Sequence, residues 1–259
     1  MPRFFITIEY DGSDFVGWQR QENGESIQAS LEHAASAILG HRQDIPIYGA
    51  GRTDTGVHAL GQVAHCDLPD RFTEYQLPLA LNAYLPASIR VIRADRVSDD
   101  AHARFDATIR RYRYRIHTRR IPSPLLSGRV WHFGQNLHVS AMHEAAQLLV
   151  GKHDFTSFRA THCQATSPVR TIDQINVTAN GHEVWISVSA RSFLHHQVRN
   201  ITGSLVLVGQ GRWTDHDLGK ALDMRQRSAA GQTAPAEGLY LTEVVYPYLD
   251  PHPTADRQV

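Results

Sequence analysis

Apolar and polar positions along this chain switch repeatedly between a period of two and a period near 3.6. Residues 4–10 alternate and are rich in β-formers, which predicts a strand. The turn Asp11-Gly12-Ser13-Asp14 follows, then a segment over 15–21 carrying Trp18, Gln19 and Arg20. Ser26 stands where an N-cap belongs, and Ile27, Leu31, Ala34, Ala35, Ile38 and Leu39 recur at helical spacing until Gly40. Residues 45–48 enter a glycine-rich loop and 61–67 leave it as a strand. A helix over 74–84, ended before Pro86, and a strand over 89–97 complete a split βαβ order.

The second half repeats the plan. Residues 110–117 read as a strand, 121–124 as a loop, and 140–150 as a helix capped by Gly151. Strands over 171–178 and 183–189 flank Asn180-Gly181, a hairpin signal. A long helix is predicted over 192–208, another over 215–224, and a closing strand over 240–246. The expected fold is α+β, two ferredoxin-like (split βαβ) domains with mainly antiparallel sheets and helices on one face. The expected domains are 1–105, carrying the loop, and 106–249, with 250–259 a disordered tail. No Gly- or Pro-rich linker separates them, so they are expected to share an interface.

Composition narrows the function. The chain has 259 residues, 42% hydrophobic and 20% charged, as in an ordinary globular protein. Its formal net charge is zero, so any nucleic-acid site must come from local clustering. Cys66 and Cys163 are far apart and neither lies in a C-x-x-C pair, which argues against a disulfide framework and for a reducing cytosol. The first ten residues lack a long apolar region and meet Glu9 early, unlike a signal peptide. No apolar run approaches about 18 residues, so no membrane span is expected. No P-loop, dinucleotide fingerprint or zincin helix occurs.

Three stretches carry candidate chemistry. The loop Gly49-Ala50-Gly51-Arg52-Thr53-Asp54-Thr55-Gly56-Val57-His58-Ala59 holds one base and one carboxylate among glycines. Asp54 can be a nucleophile, a general base or half of a structural ion pair with Arg52; on spacing alone the ion pair is the simpler reading. In 110–117 the strand period puts Tyr112, Tyr114 and Ile116 on one face and Arg111, Arg113 and Arg115 on the other. Clustered arginines with tyrosines fit RNA backbone binding and base contact, against the alternative of a solvated sheet edge. In 191–200, helical spacing places His195 and Arg199 on one face beside the stripe Leu194, Val198, Ile201, Leu205 and Val208. An arginine there could pair with a catalytic carboxylate and hold it ionised. Metal binding is not expected, because His195-His196, His65-Cys66-Asp67 and His162-Cys163 lack partners at ligand spacing. Pro235 to Leu239 reads as a turn into the last strand.

These motifs, taken in order, resemble the tRNA pseudouridine synthase A (TruA) family over nearly the whole chain. The resemblance rests on Gly51-Arg52-Thr53-Asp54-Thr55-Gly56-Val57-His58, with Glu9-Tyr10-Asp11-Gly12 and Gly17-Trp18-Gln19-Arg20 before it. After it come Ala101-His102-Ala103-Arg104-Phe105, Arg111-Tyr112-Arg113-Tyr114, Asp154-Phe155-Thr156-Ser157-Phe158, Phe193-Leu194-His195-His196 with Val198-Arg199-Asn200, and Pro235-Ala236-Glu237-Gly238-Leu239. Thr55 departs from the alanine usual in the family, which bears on the hydrogen bonding of the loop. The resemblance implies a cofactor-free isomerase that converts uridine to pseudouridine at positions 38, 39 and/or 40 of the tRNA anticodon stem-loop. It also implies a homodimer whose active cleft runs along joined sheets; with the cysteine usage, the expected compartment is the cytoplasm.

By the same resemblance Asp54 is the nucleophile, attacking the ribose C1′ or the uracil C6, or assisting glycal formation. Arg199 holds Asp54, and Arg52 takes the place of the displaced base or a phosphate. Tyr112 stacks on the flipped uracil, Leu239 packs on its other side, His195 completes the substrate pocket, and Arg104 grips the RNA backbone. The alternative is a non-catalytic tRNA-binding or chaperone protein; metal-dependent hydrolysis is a third, weaker class.

Overall fold

The computed structural model describes residues 1–41 and 43–250. Its strands are β1 (Arg3–Tyr10), β2 (Tyr48–Gly49), β3 (His58–Asp67), β4 (Ile89–Val97), β5 (Ile109–His117), β6 (Trp131–His132), β7 (Gly151–Asp154), β8 (Val169–Asn180), β9 (Glu183–Ala190) and β10 (Leu239–Val245). Its helices are α1 (Ile27–Ala37), α2 (Gln76–Asn82), α3 (Val139–Ala146), α4 (Gln197–Gly209) and α5 (Asp215–Asp223). Together they make a mixed α+β protein whose strand pairings are mostly antiparallel. Among the described residues no helix is long and apolar enough to cross a membrane.

Contacts divide the chain into two units, Met1–Thr108 with Tyr240–Val259, and Ile109–Leu239. This differs from the expected 1–105 and 106–249, because the last strand returns to the first unit. There β10 runs parallel to β3, with Tyr240 opposite His58 and Leu241 opposite Ala59. β3 is antiparallel to β1 along its other edge, so β10 and β2 share the edge that remains. A strand pairing of this kind joins residues far apart in sequence and leaves no local signal. The expected tail, beyond Asp250, lies outside the described residues.

In the first unit, Ser26 caps α1 by accepting the Ala29 N–H at 3.2 Å, and Ile27, Leu31, Ala34 and Ala35 are buried. α2 is shorter than the expected 74–84. Thr73 Oγ1 accepts from Gln76 N and Gln76 Oε1 accepts from Thr73, closing the start with a reciprocal cap. At its end Asn82 clamps β4, exchanging hydrogen bonds of 2.8 Å with both Val91 N and Val91 O.

In the second unit the strand order is β5-β9-β8-β7, with β6 parallel to β5. Register sets Tyr112 opposite Val188, Tyr114 opposite Ile186 and Ile116 opposite Val184, one apolar face on which α4 packs. The hairpin between β8 and β9 turns at Gly181, which has φ of 58°. α3 stops at Ala146 rather than 150 and passes into a 3-10 turn over Gln147–Leu149. The Gln147 side chain donates to His143 O and Ile175 O there, tying the helix end to β8.

α4 begins at Gln197, five residues later than expected. His196 takes a left-handed conformation with φ of 61°, which a helix cannot pass through. Gln197 Oε1 accepts the Leu194 N–H at 2.8 Å, closing the turn before the helix. His195 therefore precedes the helix, and the expected sharing of a helical face with Arg199 does not hold. α4 is also buried nearly all round, not along one stripe: Asn200, Thr202, Gly203 and Ser204 are covered as well as Val198, Ile201 and Leu205.

Candidate active site

The loop around Asp54 is held on every side by the segment over 10–18 and by β3. Ala50 N donates to Val63 O at 2.7 Å, and Gln62 Nε2 donates to Gly51 O at 2.8 Å. Trp18 N donates to Thr53 O at 3.1 Å, and Tyr10 Oη lies 2.8 Å from Thr53 Oγ1. The loop closes on itself where Val57 N donates to Asp54 O at 3.1 Å. Thr55, the residue that departs from the family pattern, donates its hydroxyl to Val16 O at 3.0 Å, adding a tie that alanine lacks. Two glycines permit the close approach. A Cβ on Gly12 would stand 2.0 Å from Val57 O, and one on Gly17, which has φ of 108°, would stand 2.6 Å from Thr53 O.

The result is a rigid loop that keeps Thr53 buried, Asp54 half-buried and Arg52 exposed. His58 completes the frame: Gly12 N donates to its Nδ1 at 3.0 Å, and its ring stacks on Tyr240 with centroids 4.7 Å apart. Sequence reasoning passed over His58 and Gln62 as supports. The available signal was their polarity inside a strand with apolar neighbours, where both are buried.

The second unit assembles the other candidates. Tyr112 is buried on β5 and meets Phe193 edge to face at 5.2 Å, just before His195. His195 is exposed, its ring 4.0 Å from that of His196. Arg199 is half-buried on the first turn of α4, and its Nε donates to Ala234 O at 2.8 Å while Ala234 N donates to Arg199 O at 3.2 Å. That exchange fixes the segment leading to Leu239, which is buried. Asn200 locks the same segment from the next position, its Oδ1 accepting from Thr233 Oγ1 at 2.7 Å and Arg227 Nη2 at 3.1 Å. Gly238, before Leu239, lies against the Tyr114 ring, where a Cβ would be 2.6 Å from two ring carbons. Burial, with Glu237 nearby, raises the Tyr114 hydroxyl well above its ordinary pKa, so it stays protonated and donates to Pro235 O at 2.7 Å. In the first unit, Arg104 is exposed on the turn that follows β4.

Two arginines of the expected arginine face of β5 have partners on β9. Arg115 is buried and makes a two-point pair with Glu183, both contacts 2.8 Å. Arg113 lies 4.4 Å above the Trp185 ring, while Arg110, at a position of the other face, donates to Arg191 O. Burial works against ionisation of Glu183, yet hydrogen bonds from Arg115 and Trp185 hold its carboxyl below the usual range. Charge clustering along one strand marked the arginines, but it could not show that the neighbouring strand β9 supplies their partners.

Comparison with known proteins bears on the whole chain. A family model described as tRNA pseudouridine synthase matches residues 6–106 and 145–247. The tRNA pseudouridine synthase A of Rhodopseudomonas palustris (strain BisA53) is 56% identical over 247 residues, covering 95% of this chain and 100% of that protein. That of Maricaulis maris (strain MCS10) is 54% identical over 248 residues, covering 95% of this chain and 99% of that protein. That of Rhodospirillum centenum (strain ATCC 51521 / SW) is 53% identical, with 95% of this chain and 100% of that protein covered.

Proposed function

Because this chain belongs to the tRNA pseudouridine synthase family, whose members isomerise uridine to pseudouridine in tRNA, we propose that Asp54 is the nucleophile of that reaction. The substrate is the anticodon stem-loop, and the sites are positions 38, 39 and/or 40. In the reaction the bond from N1 of uracil to ribose C1′ breaks and one from C5 to C1′ forms. C5 loses its proton and N1 gains one. A carboxylate suits this chemistry because it can attack at C1′ or C6, or assist glycal formation, and then leave.

The observation that carries the reading is the clamped loop. Asp54 is held half-buried on backbone anchored at Ala50, Gly51, Thr53 and Val57, so the carboxylate is oriented before substrate arrives. Arg199 serves as the cation that keeps Asp54 ionised, with its backbone fixed by Ala234. Arg52, exposed on the same loop as Asp54, occupies the place of the displaced base or meets a phosphate. Tyr112 stacks on the flipped uracil and Leu239 packs on its other face, offsetting part of the cost of unstacking, which is a few kcal/mol. His195 contacts the substrate from the turn before α4, and Arg104 grips the RNA backbone. The protein works as a cytoplasmic homodimer, a reading supported by the family resemblance and, for the compartment, by two unpaired cysteines.

Tritium release from tRNA labelled at C5 of uridine reads turnover. Asp54→Ala is expected to abolish release while the variant still binds tRNA in a filter assay. Residual turnover at more than a hundredth of the wild-type rate, or loss of tRNA binding together with turnover, would remove Asp54 from the nucleophile's role.

A further inference from the structure

The turn over 101–106 is pinned more heavily than a solvent loop needs. Arg3 Nη1 donates to Ala101 O at 3.0 Å while its guanidinium makes a two-point pair with Asp67, both contacts 2.8 Å. Ala103 N donates to His65 Nδ1 at 3.2 Å, and Ala103 O accepts the Tyr246 hydroxyl at 2.6 Å. Asp106 Oδ2 accepts both His102 N and the Tyr248 hydroxyl at 2.8 Å. Strands β1 and β3 and the segment after β10 thus converge on six residues.

What this immobile backbone displays is an aromatic surface. Phe105 is 67% exposed and Tyr48, on β2, is 51% exposed. Two imidazoles join them. Tyr48 stacks on His65 at 5.1 Å with planes 22° apart, His65 meets His102 at 4.5 Å, and His102 meets Phe105 at 4.3 Å. The Arg104 guanidinium lies 5.8 Å over the Phe105 ring. A single exposed ring is commonplace, but here two exposed rings, Tyr48 and Phe105, are joined through His65 and His102 beside a clamped turn, with a cation at the Phe105 end.

We propose that Phe105 and Tyr48 form a stacking platform for unpaired bases of the bound tRNA, distinct from the pocket of the reacting uridine, with Arg104 meeting the adjoining phosphate. An exposed ring offers every base the same π-face, so the platform takes any base, as single-strand stacking surfaces do. Burial, with His102 and Arg3 nearby, lowers His65 to about 4, and burial also lowers His102, so the buried His65 and half-buried His102 back the two exposed rings as neutral imidazoles at physiological pH.

The proposal rests on the reading of this chain as a tRNA-binding synthase, and the test separates the two. Fluorescence anisotropy with an unmodified tRNA transcript is expected to show Kd raised roughly tenfold by Phe105→Ala and by Tyr48→Ala, the scale of one lost base–aromatic stack. The slope of log Kd against log salt should stay as in wild type, because no phosphate contact is removed. Phe105→Tyr, which keeps a ring, should bind within twofold of wild type. Thermal melting checks that the exposed substitutions leave the fold intact. Kd within twofold of wild type for both alanine variants overturns the platform, provided the same wild-type preparation releases tritium. An alanine variant that changes the mass seen by light scattering at unaltered Kd also overturns it and assigns the rings to a protein interface. A wild type that neither binds nor turns over tRNA overturns the underlying reading instead.

Discussion

At the scale of single residues, His65 links the fold to pH. It is nearly fully buried between β1 and the 101–106 turn, where Arg3, Asp67, His102, Asp106 and Tyr48 are its ionisable neighbours. Its value falls from 6.5 to about 4, first through burial and then through His102 and Arg3. The unfolded chain therefore takes up this proton first as pH falls. Stability from a neutral His65 is complete above the unfolded value of 6.5 and is lost progressively between 6.5 and about 4. The urea midpoint is expected to drop between pH 7 and pH 5, and His65→Asn, which keeps an acceptor for Ala103 N, should flatten that drop. An identical slope in the variant would assign the pH dependence to other groups. Asp67 and Asp106 act in a lower window, since both are depressed below the ordinary carboxylate value and lose their contribution only as pH falls through it. Cys66 shows the same effect of burial in the opposite charge type: its thiol is pushed up to about 12 and is inert, which suits a residue packed inside β3.

At the scale of elements, α4 is the piece whose surroundings matter most. Gly203 lets the helix touch the chain over 231–234 directly, and a Cβ there would stand 1.8 Å from Gln232 O. Backbone on both sides cannot yield as a side chain would. Gly203→Ala is expected to destabilise the protein by about 3 kcal/mol, at the upper end of overpacking effects, measured by urea denaturation. A change under about 0.5 kcal/mol, within the range of neutral surface substitutions, would mean that the contact relaxes. The periodic stripe Leu194, Val198, Ile201, Leu205 and Val208 predicts the helix and one of its faces. Burial of Gly203 and Ser204 is not written in that stripe, because small and hydroxyl residues look alike whether they meet water or another backbone. The late start of the helix at Gln197 was hidden for a related reason: a left-handed His196 and the Gln197 side chain closing the turn on Leu194 N are properties of a turn, and periodicity does not register them.

At the scale of the whole molecule, β10 ties the last part of the chain to the first unit. It pairs with β3, and beyond it Tyr246 packs edge to face on Phe5 at 4.9 Å and donates to Ala103 O. Residues 1–108 expressed without the segment from Tyr240 are therefore expected to lack a cooperative thermal transition, since the start of β3 would lose its pairing at His58 and Ala59 and the 101–106 turn would lose its two tyrosine anchors. A sharp transition for that fragment near that of the full chain would make β10 an accessory. Most elements were legible locally. β1, α1 with its Ser26 cap, β4, the Gly181 hairpin and α5 all follow from a few adjacent residues, because periodicity, caps and turns are short-range. The Asp54 loop was legible as a candidate site from its glycines, base and acid.

The sequence by itself therefore determined the family, the order of the elements and the identity of the loop that carries the acid, since each is written in contiguous residues. Only the tertiary structure decided that Arg113 and Arg115 are occupied by Trp185 and Glu183, that His58 and Gln62 brace the loop, and that the closing strand belongs with the first unit. Those outcomes depend on which distant residues share a neighbourhood once the backbone has satisfied its hydrogen bonds, and no local pattern encodes that.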